Sequence, residues 1–423
     1  MRIALAILFI LSGCIVGESS QPPNGASQFS LGQDIGINVA ADGAPGAAAV
    51  RALGASWVRI ELVDGAPSQT AIQAFHDEGL RVLAIVNYST LGNYPGYYEC
   101  GPGAGFDDWR AAWTARVEQI STSYGSLVDA WEVWNEEDHP RAPCGKPVEY
   151  NPGLPAGVYG AMLRDAYIAI RAGSGAPVVL GGTDSGQVSY VLDAAIDGVI
   201  WADAVAVHPY GVVPDPSWCP NPGEDLDCAW GTFLSKIDEY AGATGLPVWM
   251  TEFGVRTQDT AHEANYLEGG FQAVAARGAI SGPAFYFCYS DSMVPPFGLT
   301  YADGTPKPFA YERFQQVANS GGGGVTHASR LHGTVEIGGA GAPGIYVTAW
   351  GHGGDLHTTY TDGGGIFAFE GLEPSSLYNV VVNAQFSDGF QPVDGNHAFE
   401  VRDNVELVAG PDAWHGENFQ LPF

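Results

Sequence analysis

"VDAWEVWNE", residues 128–136, is a largely apolar run that closes on an amide and a carboxyl. Such a run reads as a strand buried on both faces, with Asn135 and Glu136 standing where it emerges. Glu137 and Asp138 follow at once. Carboxylates this close repel one another, so solubility alone does not account for the cluster. Glu136 is therefore read as an acid delivered to a site, with Glu137 and Asp138 facing solvent beyond it.

The same kind of run recurs on both sides of this one. Strand-like stretches lie at 34–40, 56–62, 80–88, 177–183, 202–210, 247–253 and 283–289. Helix-like stretches such as "FDDWRAAWTARVEQISTSYG" and "VYGAMLRDAYIAIRAG" separate them, several ending in the glycine that closes a helix. Eight strand–helix units between residues 29 and 320 predict a (β/α)8 TIM barrel. A doubly wound open sheet is the alternative. It would be very wide, and no glycine-rich phosphate loop follows the first strand.

"GGGG" at 321–324 breaks the pattern, and residues 321–328 read as a linker. Beyond it "GTVEI", "GIYVTAWG", "HTTYTD" and "GIFAFEG" alternate with period two between turn residues. Residues 329–423 are therefore expected to form a small all-β sandwich. At the other end, residues 1–14, "MRIALAILFILSGC", carry one early arginine, an apolar core and a cysteine. The run is too short to span a bilayer and reads as an export signal. Residues 15–28 are polar with Gly and Pro, as a flexible tether would be.

The formal net charge of −30 excludes nucleic acid as a partner, since that needs basic surface. It also disfavours strongly anionic polysaccharides, unless a local basic cleft overrides it. Four of the six cysteines, Cys100, Cys144, Cys219 and Cys228, sit in loops and read as two disulfides, 100–144 and 219–228. The sequence alone does not fix that pairing. Cys288, in "AFYFCYS", reads as a buried free thiol. "HEANY" at 262–266 lacks the second histidine of a zinc helix, and no metal or cofactor is expected.

In a barrel the chemistry sits at the carboxyl ends of the strands. Those ends supply Arg59, Asn87, Asn135, Glu136, His208, Tyr210, Glu252 and Tyr286. Glu136 and Glu252 end strands four and seven, which face one another across the mouth. Hydrolysis of a glycosidic bond needs two such carboxyls, one to protonate the leaving oxygen and one to attack or to activate water. Glu132 shares strand parity with Glu136 and reads as the structural partner of a buried Arg or Lys. Trp131 and Trp134 read as barrel core, while Trp218 and Trp230 suit sugar platforms.

"WEVWNEE", "VAVHPYG" and "VWMTEFG", in that order, resemble the clan A glycoside hydrolases, family 39 and its relatives first and family 5 next. The resemblance spans about residues 29–320. It implies a retaining enzyme without cofactor, with Glu136 as acid/base, Glu252 as nucleophile and Asn135 on the sugar 2-hydroxyl. Arg59, His208 and Tyr210 would orient Glu252. Many relatives have proline where Glu137 stands and tryptophan on strand eight, where this chain offers Tyr286, Phe287 or Tyr289. Leu11-Ser12-Gly13-Cys14 is similar to a bacterial lipoprotein signal, which implies lipidation of Cys14; a plain signal peptide is the other reading. The 329–410 stretch resembles transthyretin-like, carboxypeptidase-regulatory-like modules.

Together these readings predict an exported, lipid-anchored glycosidase of the cell envelope, with a polysaccharide or oligosaccharide as substrate. The lipid is its only membrane attachment. Long loops at 92–106, 139–157 and 211–231 suggest an endo-acting cleft. A catalytically inactive carbohydrate-binding lipoprotein, or a functional C-terminal adhesion module on a barrel scaffold, are the competing classes.

Overall fold

The computed structural model describes residues 29, 33–64, 69–146, 152–184, 186–210, 233–257, 260–277, 280–307, 310–320, 329–351, 356–372, 377–383, 399–406 and 414–421. Cys14, Cys219, Cys228, Trp218, Trp230 and the 321–328 linker lie outside the described residues.

Eight parallel strands close into a barrel: β1 (Ile35–Asn38), β2 (Trp57–Glu61), β3 (Arg81–Val86), β4 (Ala130–Val133), β5 (Val178–Thr183), β6 (Ala204–Val207), β7 (Val248–Phe253) and β8 (Ala284–Tyr286). β8 pairs with β1, which removes the open edges a doubly wound sheet would leave. Helices α1 (Ala47–Leu53), α2 (Gln69–Asp77), α3 (Phe106–Tyr124), α4 (Ala156–Gly173), α5 (Val188–Asp193), α6 (Phe233–Thr244), α7 (Thr260–Arg277) and α8 (Ala310–Asn319) follow the strands in turn. The structure is thus the (β/α)8 barrel that the alternating runs predict. No helix among the described residues is long and apolar enough to cross a membrane.

Strand parity sorts side chains into two apolar layers. Val58, Ile60, Val82, Ala84, Val133, Val205, Val207 and Met250 point outward and pack against the helices. Trp57, Leu83, Ala130, Val179, Ala204, Ala206, Trp249 and Phe285 fill the barrel axis. β1 contributes only Gly36 at that level, opposite Phe285 and Trp57. A Cβ on Gly36 would sit 2.2 Å from Phe285 Cδ1, so the ring occupies the space a side chain would take. This packed plug closes the barrel below and leaves the carboxyl ends of the strands as its open mouth.

Beyond the barrel, strands at 329–337, 340–341, 366–372 and 414–421 form one sheet, and strands at 346–351, 356–360, 377–383 and 399–406 form a second. Leu331, Val335, Val347, Phe367, Phe369 and Val380 belong to one buried cluster that draws on both sheets.

The plug makes Gly36→Ala costly, because either Phe285 or the β1 backbone must move. A loss of about 1–3 kcal/mol is expected in urea unfolding, and pairing it with Phe285→Leu should recover part of that loss.

Candidate active site

β4 ends at Val133, and the next residues leave strand geometry. Trp134 and Glu136 both adopt positive φ, 76° and 50°, a conformation uncommon for residues with side chains. Trp134 is fully buried against Tyr88, Tyr94 and Trp113, and its indole N–H donates to the Pro152 carbonyl at 3.3 Å. With the indole held, the turn carries Asn135 and Glu136 over the barrel mouth. The Glu136 amide also donates to Gly182 O at 2.9 Å.

Below them lies Arg59 of β2, 2% exposed. Its Nε donates to Glu132 Oε2 at 2.6 Å and its Nη2 to Glu132 Oε1 at 3.1 Å. Nη2 also donates to Asn135 Oδ1 at 2.7 Å. Nη1 reaches Asn38 Oδ1 at 2.8 Å and Glu252 Oε1 at 2.5 Å. All five guanidinium hydrogens therefore have protein acceptors. Glu132 is the structural partner of a buried arginine, as its parity implies.

Glu252 gains its position from an irregularity. Between β7 and β8 the register slips, so that Met250 to Phe253 spans what Ala284 to Tyr286 spans opposite. Thr251 and Glu252 consequently both face the barrel interior. Glu252 Oε2 accepts from the Tyr210 hydroxyl at 2.5 Å. Tyr210 is steadied by edge contacts with Phe287 and Phe297.

His208, fully buried, joins the two acids. Thr251 donates its one hydrogen to Glu132 Oε1 at 3.0 Å, so His208 Nε2, also 3.0 Å from that hydroxyl, must be the donor to it. His208 Nδ1 then faces Glu136 Oε1 at 3.4 Å and Glu252 Oε2 at 3.8 Å. Gly182 leaves room for the imidazole, since a Cβ there would lie 2.2 Å from His208 Cδ2. Carboxyl oxygens of Glu136 and Glu252 and a ring nitrogen of His208 lie within 4.8 Å of one another. Three such donors could reach a cation, but Arg59 already brings positive charge and both Glu252 oxygens are engaged.

The two glutamates differ electrostatically. Burial raises the Glu136 carboxyl; its bond to His208 opposes this, and the charge of Glu252 adds to it, leaving it above the ordinary range. For Glu252 burial acts upward, but the charges of His208 and Arg59 and the bonds from Tyr210 and Arg59 outweigh it. Glu252 is held below the ordinary range. Burial pulls His208 down, yet the charge of Glu252 and the contact with Glu136 carry it above its usual value.

A cavity of about 270 Å³ opens beside these groups. Arg59, Asn87, Asn135 and Glu252 line it, with Asn38, Glu61, Tyr88, Phe287, Met293 and Val294. Asn87 stands in its wall with its side chain engaged: Oδ1 caps the turn at Ser89 N, 2.9 Å, and Nδ2 donates to Glu61 Oε1, 2.6 Å. Loops rise around the mouth, and the Cys100–Cys144 disulfide ties the 97–102 hairpin to the segment after β4. Cys288 is a buried free thiol.

Three expectations are corrected. Tyr286 does not reach the cavity: it is fully buried on the outer side of β8, packs on Phe253 and donates to Glu263 Oε1 at 3.0 Å. Parity puts Phe285 in the plug and Phe287 in the cavity wall, so Phe287 is the aromatic that strand eight presents. Glu137 does not face solvent: it is fully buried. Leu154 N and Tyr190 OH bond its carbonyl at 2.7 and 3.1 Å, and its Oε2 lies against Gly181, where a Cβ would come within 2.6 Å. Asp138 is half-buried and accepts from Asp184 N at 2.6 Å. Sequence reasoning missed Glu61 and Asn38. For Glu61 the signal was present, because Trp57, Arg59 and Glu61 alternate on β2.

No family model matches the chain, and no curated protein does. Solved structures do. A family 39 glycoside hydrolase from the gut symbiont Bacteroides cellulosilyticus WH2 aligns with TM-score 0.52 at 17% identity, over 89% of this chain and 79% of that one. A beta-glucosidase designated 1317 aligns at TM-score 0.50 and 19% identity, over 64% and 85% of the two chains. A family 5 subfamily 4 broad-specificity endoglucanase from Clostridium longisporum aligns at TM-score 0.45 and 15% identity, over 70% and 100%. The fold is thus one shared with glycoside hydrolases.

Neither carboxyl oxygen of Glu137 has a hydrogen-bond partner among the described residues, and burial raises its pKa well above the ordinary range. Between the ordinary carboxyl range and that raised value, the folded protein therefore holds a proton that the unfolded chain releases. Stability from this group is fully present below the usual carboxyl range and is lost as pH rises toward the elevated folded value. Glu137→Gln should remove that loss and stabilise the protein by about 1–3 kcal/mol at alkaline pH. Thermal melts of both proteins between pH 5 and pH 9 check this.

Proposed function

We propose that this protein hydrolyses β-linked glycans with retention of configuration, using Glu252 as nucleophile and Glu136 as acid/base. The observation that carries the reading is the close approach of two oppositely tuned carboxyls, with oxygens within 4.8 Å, at the ends of β4 and β7. Retaining pairs stand about 5–5.5 Å apart and inverting pairs about 6.5–9.5 Å, which leaves room for a water.

Each step follows from the local charges. The Glu252 carboxylate attacks the anomeric carbon while protonated Glu136 gives its proton to the departing glycosidic oxygen. The glycosidic C–O bond breaks and an ester to Glu252 forms. That ester carries no negative charge, so the part of the upward shift on Glu136 that Glu252 supplies falls away. Glu136 then takes a proton from water, whose oxygen attacks the anomeric carbon and frees Glu252. Asn135, fixed by Arg59, is placed to meet the sugar 2-hydroxyl, and Phe287 offers an aromatic face to the ring.

The walls raised by the 97–102 hairpin and its disulfide support an endo-acting cleft on an extracellular glycan. The "LSGC" segment supports export and lipid anchoring at Cys14, with residues 15–28 as tether to the cell envelope. The two C-terminal sheets and their shared core support the transthyretin-like reading of a module appended to the enzyme.

The test is hydrolysis of aryl β-glycosides and of glucan, xylan, mannan and galactan oligosaccharides. Glu252→Ala should lose about 10⁴-fold or more in kcat/KM. Glu136→Ala should lose ~10²–10⁴-fold and be rescued by azide on activated glycosides. Binding of a glycan by wild type and both variants, with no turnover, would instead select the inactive carbohydrate-binding reading.

Because Glu252 is held low and Glu136 high, kcat/KM should be bell-shaped in pH. Its acid limb follows protonation of Glu252 and its alkaline limb deprotonation of Glu136. An alkaline limb that persists in Glu136→Gln, measured on an aryl glycoside with a good leaving group, would contradict that assignment.

A further inference from the structure

Glu61, at the end of β2, is an acidic side chain in the cavity wall that the proposed chemistry does not use. It shares the inward parity of Trp57 and Arg59, so the strand aims it over the barrel mouth. Its Oε1 accepts from Asn87 Nδ2 and from Ser89 Oγ, both at 2.6 Å. Ser89 Oγ also lies 2.7 Å from Asn87 Oδ1, and Asn87 is held through its carbonyl by the Trp113 indole at 2.6 Å. The carboxyl is thus clamped in one orientation by a buried scaffold. Its Oε2 has no partner among the described residues.

The cavity's charges point the same way. Arg59 is the one cation among its described lining residues, and all five of its hydrogens are taken by Glu132, Asn38, Asn135 and Glu252. Glu61 and Glu252 supply two acids to the same space. A carboxylated or sulfated sugar would enter without any free donor cation, against two acidic groups. A neutral sugar brings hydroxyl donors, and a fixed carboxylate oxygen accepts from them in a charge-assisted bond stronger than one between neutral groups.

We infer that Glu61 is a specificity-determining residue whose Oε2 accepts sugar hydroxyls, and that this cavity takes a neutral sugar ring and rejects uronic acids and sulfated sugars. The inference rests on the reading of the cavity as a glycoside site, and it names the substrate class. Asn87 and Ser89 are positioning residues that act through Glu61.

Binding and turnover are read separately, so that failure of catalysis and failure of this inference are told apart. Thermal shift of the full chain is measured with glucose, galactose, mannose and xylose, and with glucuronic and galacturonic acids. At least one neutral sugar should raise the melting temperature of wild type, and neither uronic acid should. Glu61→Gln should weaken that neutral sugar about tenfold, and Glu61→Lys should bring a uronic acid to measurable binding. With aryl glycosides, Glu61→Gln should raise KM for the neutral substrate about tenfold with kcat within about threefold, a split that general damage to the fold would not give. Binding without turnover would sink the catalytic proposal and support this one. Wild type preferring a uronic acid, no neutral sugar binding, or Glu61 variants binding like wild type would each overturn it.

Discussion

The barrel mouth depends on one buried cation. Burying a guanidinium costs several kcal/mol unless each hydrogen finds an acceptor and an opposing charge lies near. Arg59 has both: five bonds to four side chains, two of them glutamates. Burial alone would pull its pKa down, and the charges of Glu132 and Glu252 reverse that and raise it. Those bonds tie β1, β2, β4 and β7 together through Asn38, Arg59, Glu132 and Glu252, with Asn135 just beyond β4. Removing any one acid would leave charge uncompensated in the core, so the network holds the strand ends in register as well as the side chains.

The asymmetry between the two mouth glutamates follows from where that cation sits. Glu252 touches Arg59 directly, whereas Glu136 faces His208 Nδ1 at 3.4 Å. Placing Glu252 in that contact required the slipped register beside β8, and placing Glu136 outside it required the left-handed turn after Val133. Local backbone irregularity thus gives two like residues opposite shifts, Glu252 below the ordinary carboxyl range and Glu136 above it. Such departures from ideal geometry concentrate where a site needs them.

Much of this was legible in the chain. Eight apolar runs with helical spacers specify a barrel, and strand ends nominate Arg59, Asn135, Glu136, His208, Tyr210 and Glu252. Parity within "WEVWNE" also pairs Glu132 with a buried cation. Tyr286 was misread because "AFYFCY" is apolar at every position, so alternation cannot say which set faces inward; Gly36, which leaves space for Phe285, decides it. Glu61 lay in plain alternation with Arg59 but gains meaning only beside Asn87 and Ser89, which belong to the next strand's exit. The burial of Glu137 was out of reach, since Leu154, Gly181 and Tyr190 meet it from later in the sequence.

That burial also explains how three consecutive acids coexist at the end of β4. They occupy three different environments within a few ångströms. Glu136 is partly exposed and shares His208 with Glu252. Asp138 serves a backbone amide at Asp184, where a carboxylate accepts well. Glu137 lies between them, where an ionised group would feel Asp138, Glu132 and Glu136 at once, with no hydrogen bond to its carboxyl from any other described residue. Keeping its proton is the lower-energy choice, and it removes one of the charges that crowding would otherwise set against Glu136. Arg59 and His208 then stand against Glu132, Glu136 and Glu252, with Asp184 also acting on Glu136, and that balance tunes the pair. An acid cluster that looks repulsive in sequence is made tolerable by burying its middle member in neutral form.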